Sequence, residues 1–374
     1  MPTATVAARS SSSSSSVTGT RDVVRPVGAG TADREDERLT RPAPVRVGSV
    51  VLALTLLGAA VVASVVLGAR DVGPTEIWNG LRGGTATVGE AAVFSRLPRT
   101  ALALLVGGAL GLSGAVMQGV TRNPLADPGI LGVTGGASLF VVVGIAYFSL
   151  GSASSYIWVA ILGAGASATL VYAVASTGTG RRGGPSPLRL ALSGAVTAAA
   201  AASLVTAVLL PRTDVMTQFR FWSVGGVGGG TWSSISLVAP FLLAGAVICL
   251  MTAPALDALA LGDDMAAGLG TNVVRARLVA GLGAVVLAGA ATAVAGPLVF
   301  VGLVVPHVCR LLVGERHIWL LPTCVVVGAA LLVLSDVAAR LVIRPAELDV
   351  GIITALVGGP VFIWMVTRMR TRAL

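Results

Sequence analysis

The chain of 374 residues is 55% hydrophobic and only 11% charged, with a mean hydropathy of +0.88, whereas soluble domains carry about a quarter charged residues. Every basic residue outside the histidines is arginine, so the lysine of a phosphate-binding P-loop is missing and ATP hydrolysis by that route is excluded. The net charge of +9 invites a nucleic-acid reading, but the arginines cluster at the ends of apolar stretches, where they orient a membrane protein.

Residues 1–45 stand apart. They hold the serine run Ser10 to Ser16, several Pro and Gly, and the charged stretch Asp33-Arg34-Glu35-Asp36-Glu37-Arg38. Nothing there builds a packed core or the apolar h-region of a signal peptide, so a disordered tail is expected. From residue 46 onward the chain reads as one transmembrane domain. A span needs about 20 apolar residues, and ten stretches qualify: 47–69, 98–120, 129–150, 156–176, 190–210, 233–253, 276–295, 298–313, 318–341 and 350–368. The eighth is short and is bracketed or broken by Pro297 and Pro306, so non-helical backbone satisfied by neighbouring protein is expected there. With 48 glycines and 5% aromatics, the helices are expected to pack closely through small residues.

An even number of spans puts both termini on one side. The loops of that side carry most of the arginines, even with the tail set aside. The other side holds Arg70, Arg82, Arg96, Arg99, Arg212, Arg220, Arg340 and Arg344. The positive-inside bias therefore places both termini in the cytoplasm, and the outer arginines need a reason of their own.

Along the second stretch, Arg96 and Arg99 share one helical face at the outer end. They read either as lipid-phosphate anchors or as groups for a partner. Pro98 suits a first turn, and Gly107, Gly111, Ser113 and Gly114 give a small contact face. The next segment contains Asn123-Pro124-Leu125 and Asp127-Pro128. Two prolines so close forbid continuous helix, which leaves a polar hairpin that either connects two spans or lines a path.

Residues 255–275 are too polar to span and lie on the cytoplasmic side. They read as two short helices broken at Gly262 and ended at Gly270, with Asp263 and Asp264 opening the second. Leu259, Leu261, Met265, Ala266 and Leu269 form an apolar surface without lipid to cover it, which marks a partner. Asp336 and Arg340, four apart near the outer end of the ninth span, can pair. His307 and Cys309 do not share a helical face, no metal-ligand spacing or catalytic set is present, and Cys249, Cys309 and Cys324 read as small core residues. No convincing acidic ion site lies near the midplane, which counts against a carrier driven by an ion gradient, the alternative reading, and the missing catalytic set counts against a membrane enzyme.

Six pieces in this order resemble one family. They are RLPRT at Arg96, GAVMQGVTRNPLADPGILGVTGGASL from Gly114, FWSVGG at Phe221, LALGDDMAAGLG from Leu259, AGPLVFVGLVVPHVCRLL from Ala295 and ELDVGIITALVGGPVFIW from Glu347. Together they are similar to the permease subunits of ABC importers for ferric siderophores, haem and cobalamin, the FecCD family. The resemblance implies an all-α type II importer permease with about ten spans. It also implies a second permease subunit, identical or paralogous, two cytoplasmic ATPase subunits that bind the ATP, and an extracytoplasmic binding protein delivering a metal chelate. No cofactor would sit on this chain, and a ferric siderophore is the expected cargo of a bacterial cytoplasmic-membrane protein.

By the same resemblance, Arg96, Arg99 and Arg340 match external docking arginines. Leu259, Leu261, Gly262, Asp263, Met265, Ala266, Gly268 and Leu269 match the coupling helices that enter a groove of the ATPase. Asn123, Pro124 and Leu125 match the hairpin that narrows the cytoplasmic mouth. One departure is the pair Pro187-Leu188, which stands where the cobalamin permease has small hydroxyl residues.

Overall fold

A computed structural model of the chain describes residues 42–151, 153–177 and 186–370, so most of the expected tail lies outside the described residues. Fourteen α-helices form among them: α1 (Ala43–Val66), α2 (Pro74–Leu81), α3 (Val88–Thr121), α4 (Val133–Phe148), α5 (Ala153–Ser176), α6 (Pro187–Leu209), α7 (Thr213–Ser223), α8 (Trp232–Met251), α9 (Ala253–Ala260), α10 (Asp263–Gly268), α11 (Val273–Ala295), α12 (Val301–Val313), α13 (His317–Val342) and α14 (Val350–Arg370). Seven of them are long and apolar enough to cross a membrane, and α4, α12 and the first part of α14 are shorter apolar helices. These ten elements coincide with the ten expected spans.

Local chemistry sets the ends. Thr87 accepts the Glu90 N–H at 3.1 Å, and the Glu90 carboxylate accepts the N–H groups of Thr87 and Ala86 and the Asn79 amide, a capping box that satisfies orphan donors. This box starts α3 at Val88, ten residues ahead of the expected start, so Pro98 lies inside the helix rather than in its first turn. Asn272 caps α11 through the Arg275 N–H, and Ser186 caps α6 through the Arg189 N–H, which leaves Pro187 as the first helical residue. Short helices α2 and α7 were not expected. Pro74 and Glu76 start α2, and Val215 and Phe219 bury one side of α7.

Helix α3 is the hub, 83% of its most apolar stretch being buried, and α13, α11 and α12 pack around it. The expected small face makes these contacts. A Cβ on Gly107 would fall on the Gly328 carbonyl of α13, one on Gly111 on the Cys324 carbonyl, and one on Gly114 on the Gly302 backbone of α12. The Ser113 hydroxyl donates to the Ala284 carbonyl of α11 at 2.9 Å. Close approach of this kind holds helices together where lipid removes the hydrophobic drive between them. Helices α1 and α6 are instead mostly exposed.

Between α11 and α12 the backbone unwinds as expected. Gly296 takes a φ of +71°, where a side chain would meet the Trp222 carbonyl. The Gly226 N–H bonds Ala295 O and the Gly351 N–H bonds Gly225 O, at 2.8 and 3.0 Å, so neighbouring backbone takes up the groups that the break frees.

Consecutive spans alternate in direction. The proximal end gathers the start of α1, the end of α3, α9, α10 and the α12–α13 junction. The distal end gathers the end of α1, α2, the start of α3, α7 and the end of α13.

Candidate functional site

At the distal end, the three arginines expected to face outward turn into the bundle. Arg96 is buried and donates to the carbonyls of Val65, Val66 and Arg70 at 2.9–3.0 Å. It therefore closes the end of α1, whose last carbonyls have no helical partner, and Gly68 leaves room for its guanidinium. Arg340 and Asp336 are each 1% exposed and pair at 3.0 Å. Arg340 also donates to Ser64 O, Ser64 Oγ and Leu67 O. Arg99 lies against the same carboxylate at 2.8 Å and reaches Glu347 at 2.5 Å. The expectation that Arg96 and Arg340 meet an external partner is thereby corrected: both are buried and their donors are used within the chain. Arg99 keeps only a sliver of surface. The expected Asp336–Arg340 pair is present, with Arg99 as an additional member. The distal arginines with exposed side chains are Arg70, Arg82, Arg220 and Arg344, of which Arg82 lies over the Trp78 ring at 4.3 Å and Arg344 pairs with Asp71 at 2.9 Å.

At the proximal end, the hairpin after α3 is tied at its stem and open at its tip. Arg122 ends α3 in the left-handed region with a φ of +50°. Asn123 Oδ1 accepts the Leu125 N–H at 3.0 Å, and its carbonyl accepts the Ala126 N–H. Asn123 and Pro124 are exposed and Leu125 half-buried. Beneath them, buried Gln118 donates to the carbonyls of Gly302 and Leu303 and accepts from Arg310 at 2.6 Å.

The segment 255–275 forms two helices, α9 and α10, broken at Gly262 with a φ of +111° and ended before Gly270 at +83°. Its expected apolar surface divides. Leu259 and Ala266 are fully buried, so these two anchor the segment to the body rather than face a partner. Leu261, Met265 and Leu269 are 60–65% exposed and form the outward side, and a Cβ on Gly268 would meet open space. Asp263 is a clasp: it takes Arg122 from the end of α3 and Arg277 of α11 at 2.9 Å.

A second clasp escaped the sequence reading. Asp257 accepts the His317 N–H and pairs with His317 Nδ1, both at 2.8 Å, which fixes α9 to the start of α13. Burial pushes its carboxyl up, but the His317 contacts and the neighbouring Arg316 charge outweigh that and hold it below the ordinary value. Sixty residues separate the partners, and no local pattern joins them.

The profile of the FecCD transport family matches residues 55–368. The iron(3+)-hydroxamate import system permease protein FhuB of Bacillus subtilis is 41% identical over 324 residues, 85% of this chain and 82% of that protein. The ferric enterobactin transport system permease protein FepD of Escherichia coli is 41% identical over 318 residues, 84% of this chain and 93% of that one. The hemin transport system permease protein HmuU of Yersinia pestis is 40% identical, covering 74% of this chain and 82% of its own. A metal-chelate type ABC transporter solved in an inward-facing conformation superposes with a TM-score of 0.74 at 29% identity, over 86% of this chain and 99% of that chain.

Proposed function

The chain belongs to the FecCD transport family and is a multi-pass permease subunit of an ABC importer, and from that premise we propose that it carries a ferric siderophore into the bacterial cytoplasm. An extracytoplasmic binding protein delivers the chelate at the distal end. Two ATPase subunits, which bind the ATP, engage the proximal end, and a second permease subunit completes the path. This chain needs no cofactor of its own. The arginine bias supports a cytoplasmic proximal end with both termini there.

The observation that carries this reading is the outward face of Leu261, Met265 and Leu269. Three large apolar side chains turned outward on a segment that two polar clasps fasten to the bundle are costly in water unless a partner groove covers them. The clasps make the segment stiff, so a shift of the ATPase is passed to α3, α11 and α13 rather than absorbed. The hairpin Asn123–Leu125 borders that segment through Arg122 and Asp263, which suits a cytoplasmic closure moved by it. Docking of the binding protein falls to the exposed arginines Arg82, Arg220 and Arg344, with Arg99 at their margin.

The test is uptake into proteoliposomes holding the permease, its ATPase and its binding protein, with a ferric hydroxamate and a ferric catecholate as cargo. Uptake should require enclosed ATP and the binding protein. Uptake driven by a proton or sodium gradient without ATP would overturn the reading.

A further inference from the structure

Helices α3, α5, α6, α8 and α11 enclose an open-sided crevice of about 430 Å³ that shares only Arg277 with the features above. This lies within the range of ligand cavities, about 300–1,000 Å³. Among the described residues its walls are almost wholly apolar, and the one charged residue there is Arg277, at the proximal end. From Arg277 to Gly289, the deep end on α11, the crevice follows twelve residues of helix, or about 18 Å at 1.5 Å per residue. Half of a bilayer's hydrocarbon core is about 15 Å. The crevice therefore runs from the level of the headgroups to the level where one leaflet ends.

The mouth has a charge to match. Arg122 and Arg277 share the single carboxylate of Asp263, so this trio keeps a positive charge. The Nε of Arg277 is buried and has no hydrogen-bond partner among the described residues, a donor that costs free energy until an acceptor reaches it. Tyr172, also in the lining, stands where an amphipathic ring suits the interface. Two glycines open the trough. A Cβ on Gly165 or on Gly281 would meet nothing within 4 Å, so neither glycine is demanded by helix contact, and both face the crevice.

We propose that this crevice is a binding site for one anionic phospholipid of the proximal leaflet, with an acyl chain between α5 and α11 and its phosphate at Arg277. A soluble anion would use the mouth and leave the apolar trough bare, and an uncharged chain would leave the Arg277 donor unmet. Because Arg277 also holds Asp263 of the segment that carries Met265, an occupied site would steady that segment.

The full chain, purified in mild detergent and stripped of lipid, is titrated with phosphatidylglycerol or with phosphatidylcholine of identical acyl chains and read by native mass spectrometry and thermal unfolding. One phosphatidylglycerol per chain should bind at least tenfold more tightly than phosphatidylcholine and should raise the unfolding temperature. Gly281→Leu and, independently, Gly165→Leu should fill the trough and weaken phosphatidylglycerol at least tenfold, with the unliganded unfolding temperature unchanged or higher. Arg277→Gln should remove the preference for phosphatidylglycerol. The proposal is overturned if a folded Gly281→Leu or Gly165→Leu variant binds phosphatidylglycerol as the parent does, or if the parent binds the two lipids equally. It is also overturned if a disulfide from Gly281→Cys links two permease copies through this face, since a protein would then occupy it.

Discussion

The two ends of the bundle invert the usual distribution of side chains. At the distal end, charge is inside: Arg96, Arg340 and Asp336 are buried and Arg99 nearly so, all bonded to one another or to the ends of α1. At the proximal end, apolar groups are outside: Leu261, Met265 and Leu269 stand in the open while Asp263 and Asp257 clasp the segment to the body through Arg122, Arg277 and His317. Residue type alone suggests the reverse, with arginines reaching for partners and leucines packing. What a side chain can offer a partner depends on what remains after the fold has used it.

Removing the shared carboxylate should have the largest effect. Asp336→Ala leaves Arg99 and Arg340 without their buried counter-charge and should cost about 3–5 kcal/mol, seen as a lower unfolding temperature and little protein in the membrane. A variant as stable and abundant as the parent would show that the distal network is dispensable to the fold.

The proximal counterpart should separate folding from assembly. Met265→Asp puts a charge on a face already exposed, so the permease should unfold at the parent temperature. Its association with the ATPase should nevertheless weaken by at least about 2 kcal/mol, some thirtyfold, the scale of an interface hot spot. Full association together with normal uptake would remove the coupling role. Ala266→Asp, a buried position one residue along, should destabilise the chain itself, and that contrast sharpens the division between outward and anchoring residues.

A smaller effect is expected at the exposed distal arginines. Arg344→Glu breaks an exposed pair with Asp71 worth at most about 1 kcal/mol of stability, yet the double variant with Arg220→Glu should weaken the binding protein about tenfold, in a manner that fades with salt. Binding insensitive to both changes would return these residues to lipid anchoring.

The smallest effect concerns pH. The Asp257 carboxyl titrates below its ordinary value in the folded chain, so the stability it contributes is present above about pH 3.9 and is lost as the pH falls through its lowered value. The group is partly exposed, which keeps this contribution under about 1 kcal/mol. Thermal unfolding followed downward from pH 6 should show an acid-dependent loss that Asp257→Asn lacks, and equal slopes for both would remove the clasp.

Much of this architecture was legible because membrane helices announce themselves by composition. The ten spans, the glycine face of α3, the unwound stretch before α12 and the broken pair α9–α10 all follow from local pattern. The early start of α3 and the helices α2 and α7 were missed. They depend on a capping box and on short amphipathic runs that hydropathy does not weigh. The fate of Arg96 and Arg340 was beyond reach for another reason. Their partners are carbonyls at the end of α1 and the Ser64 hydroxyl, groups that nearly every sequence offers and that only tertiary placement brings near. Asp257 and His317 present the same problem across sixty residues.

The most direct test of the central claim places a reporter on the exposed apolar face. Leu269→Cys, in a variant whose buried Cys249, Cys309 and Cys324 are each replaced by Ala, is labelled with an environment-sensitive fluorophore and titrated with the partner ATPase in detergent. A blue shift and loss of quencher access that saturate at one ATPase per permease, and that Met265→Asp abolishes, are the predicted result. A fluorophore that stays as solvent-accessible in the assembled transporter as in the isolated permease would contradict the account.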